Sequence, residues 1–132
     1  YVFTYSYNEQ DLLAREERTN HQLEEPTVDD IRTFTYDDNG NVIKFVRGTA
    51  QSNTVEATYD DKNNPYKGIY PAAYAAIKVG FDGVSTNNPI TRTEADAEIV
   101  YEYNEDGYPV SASYSYYDGA ATVDKTFTYY AE

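Results

Sequence analysis

Phe34-Thr35-Tyr36-Asp37-Asp38-Asn39-Gly40 is a short alternating strand that runs into a polar tetrad ending in glycine. Two aromatic residues spaced by two share one face of a strand, with Thr35 on the other. Asp37, at the first turn position, can accept hydrogen bonds from backbone N–H groups further along. Gly40 can take the positive φ that closes a hairpin behind a type I turn. The pattern stands again at Tyr101-Glu102-Tyr103-Asn104-Glu105-Asp106-Gly107 and at Tyr5-Ser6-Tyr7-Asn8-Glu9-Gln10-Asp11. A less regular copy is Ala57-Thr58-Tyr59-Asp60-Asp61-Lys62-Asn63, and Phe127-Thr128-Tyr129 is a closing half-copy. Asn104 and Gly107 repeat the turn roles of Asp37 and Gly40, while Asp11 and Asn63 fill the glycine slot.

Working outward, each tetrad should feed a return strand, at Leu12–Arg18, Asn41–Arg47 and Tyr108–Tyr117. In the last of these Ala112, Tyr114 and Tyr116 share one face, and Ser111, Ser113 and Ser115 the other. Leu12–Arg18 taken alone resembles a helical turn, but its place after a tetrad makes it a strand. Val2–Tyr7, Thr33–Tyr36, Thr54–Tyr59, Ile99–Tyr103 and Thr126–Tyr129 have the period-two pattern of outgoing strands.

The third copy departs from this rhythm. Pro65 forbids a clean return strand directly after it, and the next clear tetrad waits until Asn104. Residues 64–98 are therefore read as an insertion within a single β domain of residues 1–132. Pro71 suits a first helical turn and the alanines behind it favour a helix over Pro71–Val79, ended near Gly80. Gly83–Pro89 reads as a polar loop, and Ile90–Ala97 as the approach to the last hairpin.

The composition bounds the function. The chain has 132 residues, 23 acidic against 10 basic, a formal charge of -13, 16 tyrosines and no cysteine. Such a field repels phosphate backbones and anionic headgroups, so nucleic acid is not an expected partner. Without cysteine there is no disulfide, no thiolate chemistry and no cysteine-bound zinc. No apolar run reaches the length of a membrane-spanning helix. His21, the single histidine, stands in a polar stretch and is expected to be exposed and without a chemical role.

Asp37, Asn39 and Asn41 alternate like the opening of a calcium loop, yet Gly48 stands where the bidentate glutamate belongs. Turn formation accounts for those residues, and no metal or cofactor is expected. Acidic residues are too numerous for any carboxylate pair to mark a catalytic site, and no nucleophile or phosphate-loop motif is present. No catalytic residue is assigned. The aromatic residues of the insertion, Tyr66, Tyr70, Tyr74 and Phe81, are the candidate ligand-binding set. They would either stack on the apolar face of a sugar or plug one end of the sheet.

The repeated Tyr-x-Tyr-[Asp/Asn]-x-x-Gly pattern resembles the YD-type repeat of bacterial cell-surface proteins, whose hairpins stack into long sheets. Tyr59 to Gly68, Asn87-Asn88-Pro89 and the hairpin at Tyr101–Gly107 resemble small exported, often lipid-anchored proteins of Bacteroides-like bacteria. That resemblance implies an extracytoplasmic location, with any membrane attachment made through a lipid anchor upstream of Tyr1, and carries no catalytic residues. The expected fold is a mainly β, antiparallel meander of repeated hairpins, strongly twisted or partly closed into a barrel, with one short helix packed across it. The expected function is a non-catalytic surface interaction or scaffold protein whose partner is a glycan or a cell-surface protein. A carbohydrate-binding module is the alternative, and a glycan-processing enzyme the remoter one.

Overall fold

The computed structural model describes residues 1–22, 24–48 and 53–130, with the side chains of Lys78 and Phe81 left out. Nine strands follow in chain order: β1 (Val2–Tyr7), β2 (Leu13–Asn20), β3 (Thr27–Tyr36), β4 (Val42–Arg47), β5 (Thr54–Tyr59), β6 (Pro89–Arg92), β7 (Ala97–Tyr103), β8 (Pro109–Tyr116) and β9 (Ala121–Thr126). Each pairs antiparallel with the next in one sheet of order β1 to β9. The meander stays open, with β1 and β9 as its edges, so the partly closed barrel is not formed.

The hairpins form by the expected local chemistry. Oδ1 of Asn8 accepts the N–H groups of Gln10 (2.9 Å) and Leu12 (3.0 Å). Asp37 does the same for Asn39 and Asn41, both at 2.9 Å, and Asn104 for Asp106 (3.1 Å) and Tyr108 (3.0 Å). Gly40 and Gly107 take positive φ of 82° and 79°, and Asp11 adopts 59° in the same slot. Asn63 does not; its N–H donates instead to the carbonyl of Gly107, 2.9 Å away.

The third copy is a hairpin with its loop pulled out. Asp60 Oδ1 accepts the N–H of Lys62, as a turn residue should, and then the N–H of Asn88 (both 3.0 Å). That second contact spans 28 residues, where its equivalent at Asp37 spans 4. Asn88 thus stands where Asn41 and Tyr108 stand in the regular copies, and β6 is the delayed return strand. Within the stretch read as an insertion, Pro89–Arg92 thus pairs with β5 and continues the meander.

The predicted helix is present as α1 (Ala72–Lys78), preceded by Pro71 and followed by a 3-10 turn at Phe81–Val84. Ala75 and Val84 from this insertion close over Leu13, Phe34, Val42 and Ala57 of the sheet to make the core. The polar loop expected over Gly83–Pro89 is shorter, Ser85–Asn88, because Gly83 and Val84 end the 3-10 turn and Pro89 opens β6; Ser85 and Asn88 within it are buried. The closing half-copy differs from expectation. β9 ends at Thr126, and Phe127–Tyr130 lies outside any strand, since Phe127 packs edge-on against Tyr66 and Tyr129 turns its hydroxyl back to β8.

A ladder of tyrosine hydroxyls links each hairpin to the one before. Tyr36 donates to the carbonyl of Leu13 (2.7 Å), Tyr59 to that of Val42 (2.6 Å), Tyr101 to Pro89 (2.7 Å) and Tyr129 to Pro109 (2.7 Å). The acceptor is each time the first residue of a return strand. In the fourth copy the donor is Tyr101, two residues before the tetrad's own tyrosine, so the last hairpin reaches past its neighbour. Tyr103 then meets the carboxylate of Asp60.

Burial pushes the hydroxyls of Tyr36, Tyr59 and Tyr101 far above the usual tyrosine range, and that of Tyr114 up to about 12. Unfolded tyrosine ionises near pH ~10. The stability these neutral groups contribute is complete below that pH and is lost as pH rises toward the folded values, because the unfolded chain releases its protons first. Tyrosinate absorbance should therefore rise in two steps, the second coinciding with the loss of far-UV circular dichroism. Complete ionisation of a chain still folded would disprove the ladder's burial.

Candidate functional site

The four candidate aromatics do not form one platform. Tyr66 is half-buried and turned toward the last strands, edge-on to Phe127 with ring centroids 6.2 Å apart. Burial raises its hydroxyl pKa, with a smaller push from the Asp82 carboxylate. Tyr70 and Tyr74 sit on the outer side of the insertion, their rings meeting at 69° with centroids 5.1 Å apart. The side chain of Phe81 lies outside the described residues. Ala75 and Val84, rather than Tyr74, close over the sheet, and Tyr74 is half exposed. The turn residues Asp37, Gly40, Asn104 and Gly107 all serve the hairpins; a Cβ on Gly40 would meet Thr86 Oγ1 at 2.8 Å. His21 is exposed, as its surroundings predict.

Two surfaces among the described residues bear most directly on function. The first is the outer side of α1. Alanines at 72, 75 and 76 face the core, while Ile69 (59% exposed), Tyr70 (39%), Tyr74 (50%) and Ile77 (58%) face water. Tyr74 and Ile77, three apart, share one face of the helix, and Tyr70, in the turn before it, meets Tyr74 ring to ring, so the insertion is apolar on both sides. From Lys62 to Phe81 the chain has no acidic residue and carries Lys62, Lys67 and Lys78.

The second is a hollow of about 300 Å³ on the face of the sheet that α1 covers, at the end opposite the tetrads. Arg92, Glu94, Ala95, Ala97, Tyr114 and Tyr116 line it. Arg92 rises from β6 and is held by Asp82 (3.2 Å) and Glu94 (2.7 Å). Burial raises the pKa of Asp82, against the opposing pull of Arg92. The rings of Tyr114 and Tyr116, on one face of β8, are 12° from parallel with centroids 6.3 Å apart. An adjoining hollow of about 200 Å³ shares Arg92 and Glu94. The alternation of β8 puts Tyr114 and Tyr116 on a common face, whereas nothing local in the sequence brings Arg92 and Glu94 beside them.

The insertion is fixed by a web of amides. Asn64 Nδ2 lies within hydrogen-bonding distance of the carbonyls of Asp82 (2.7 Å), Ser85 (3.0 Å) and Asn87 (3.1 Å), and its Oδ1 accepts the N–H of Tyr66 (2.8 Å). Asn41 and Asn87 pair reciprocally, at 2.9 and 2.7 Å. Of the oxygens that suggested a calcium loop, Asp37 Oδ1 accepts from the backbone N–H groups of Asn39 and Asn41, and Asn41 Oδ1 from that of Asn87.

No family model matches the sequence, and no curated protein is significantly similar to it. Among solved structures, a porin-like protein from Bacteroides uniformis aligns over 96% of this chain with a TM-score of 0.50 and 14% identity. The chain spans 56% of that protein's length. At this identity the likeness concerns the fold.

Proposed function

We propose that this chain is a non-catalytic, extracytoplasmic interaction module that binds a surface protein through the outer face of α1. The carrying observation is the exposed Tyr74 and Ile77 on a helix whose inner face is already buried, with exposed Ile69 and Tyr70 in the turn that leads into it. Contiguous exposed apolar surface marks interaction sites, because leaving it in water is unfavourable. Its surroundings name the partner's character. An acid-free segment bearing three lysines, within a chain of charge -13, complements an apolar patch with an acidic rim.

The outer face of the sheet supports a role in water rather than in lipid. Glu98 and Glu102 stand opposite Ser115 and Ser111 across β7 and β8, and Ser113 bonds to Asp124. Carboxylates on a lipid-facing barrel surface are destabilising. The exported location rests on the resemblance of the hairpins and insertion to exported proteins of Bacteroides-like bacteria.

Labelled chain should bind intact Bacteroides cells saturably, and the double substitution Tyr74→Ser with Ile77→Ser should weaken that binding at least about tenfold without unfolding the protein. Binding that never saturates, or that the folded double variant retains, would refute the assignment. Carbohydrate binding is the second reading. The edge-to-face geometry of Tyr70 and Tyr74 offers no flat platform, and the near-parallel pair at Tyr114 and Tyr116 supports it better.

A further inference from the structure

We propose that the hollow lined by Arg92, Glu94, Tyr114 and Tyr116 is a binding site for a neutral pyranose saccharide. This rests on the carbohydrate reading alone, and the α1 face stands independently of it.

Size is the first consideration. About 300 Å³ is at the small end of ligand pockets and suits one sugar ring with its hydroxyls. Half-buried rings form its aromatic wall. Lys125 Nζ lies 4.8 Å from the centroid of the Tyr114 ring, occupying one side of it, and Tyr116 stands near-parallel beyond. Tyr116 is therefore the ring placed to offer its negative π-face to the axial C–H groups of a pyranose.

The polar wall is organised in advance. Asp82 and Glu94 hold the guanidinium of Arg92 from two sides, so its orientation is set before a ligand arrives. The side chain of Glu94 is 60% exposed and can accept hydrogen bonds from adjacent hydroxyls while its other oxygen keeps Arg92. Preorganised groups of this kind lose little entropy on binding.

Charge decides the class of sugar. Arg92 and Lys125 stand against the two carboxylates of Asp82 and Glu94, which leaves no net positive charge for an anion, and within a protein of charge -13 uronic acids, sialic acids and phosphosugars are disfavoured. Hydrolysis does not follow from the same geometry. Cleavage of a glycosidic bond calls for two carboxyl groups flanking it, and of the two here Asp82 does not line the hollow. The site binds and releases.

The test is amide shift mapping of the whole chain titrated with cellotetraose, xylotetraose and mannotetraose, with sialyllactose as the anionic comparator. At least one neutral tetrasaccharide should move the amides of residues 92–97 and 114–116, and sialyllactose should not. Tyr116→Ala should weaken that binding about tenfold, Tyr116→Phe should retain it, and Tyr74→Ala should leave it unchanged. Should Tyr116→Ala fail to fold, Glu94→Gln, at an exposed position, replaces it and should also weaken binding. Three neutral sugars that leave these amides unmoved, or a folded Tyr116→Ala or Glu94→Gln variant with undiminished affinity, would overturn the proposal. Neither result would touch binding through α1, which the cell-binding experiment measures separately.

Discussion

Replacing Asn64 by alanine should destabilise the protein by about 3 kcal/mol, or roughly 10 °C in Tm for a chain of this size. Asn64 is only 5% exposed, and its amide serves the carbonyls of Asp82, Ser85 and Asn87 while accepting the N–H of Tyr66. Alanine would leave those four backbone groups without this partner and without the space to admit water easily. Unmet polar groups of this kind cost more than the net value of the bonds removed. The loss should be local first, with hydrogen exchange accelerating over residues 81–88 before the rest of the sheet.

Asn64→Asp is the informative companion. It keeps the acceptor for Tyr66 but turns a carboxylate toward three carbonyl oxygens, so the folded-state pKa of the new side chain should rise. Its damage should be greatest at neutral pH and should ease as the pH falls and the carboxyl is protonated. Thermal unfolding of both variants across pH checks this. An Asn64→Ala variant with unchanged Tm would show that the insertion is not held by this amide.

Leu13→Ala should cost about 3 kcal/mol, and Leu12→Ala less than about 1. The two leucines are adjacent and chemically identical, but Leu13 opens β2 on its core side and Leu12 stands just before the strand. Leu13 is buried among Phe34, Val42, Ala57, Ala75 and Val84, whereas Leu12 is only partly covered. Removing Leu13 opens a cavity at the meeting of sheet and insertion, beneath the carbonyl that receives the Tyr36 hydroxyl. Denaturant midpoints of the pair give a direct reading of the register of β2. Equal losses, or a reversed order, would mean that β2 is slipped by one residue.

The hairpins were legible in the sequence because their causes are local. An Asn or Asp side chain reaching two and four residues ahead, a glycine with freedom for positive φ, and apolar groups every second residue all act within a few positions of one another. From these the mainly β meander followed, and the short helix followed from Pro71 and its alanines. The copy at Tyr59 shows the limit. Its Asp60 makes the same contacts as Asp37, yet one partner is Asn88, and nothing local to Asp60 announces a return strand delayed to β6.

Tertiary structure alone decided the rest. It left the sheet open, set the last hairpin two residues forward so that Tyr101 rather than Tyr103 joins the tyrosine ladder, and laid α1 across the sheet with Tyr70 and Tyr74 outward. It also brought Arg92 and Glu94 beside Tyr114 and Tyr116. The physical reason is the same throughout. Turn chemistry and strand periodicity are properties of a few consecutive residues, whereas the register between hairpins and the exposure of a helix face depend on which distant surfaces bury best against one another.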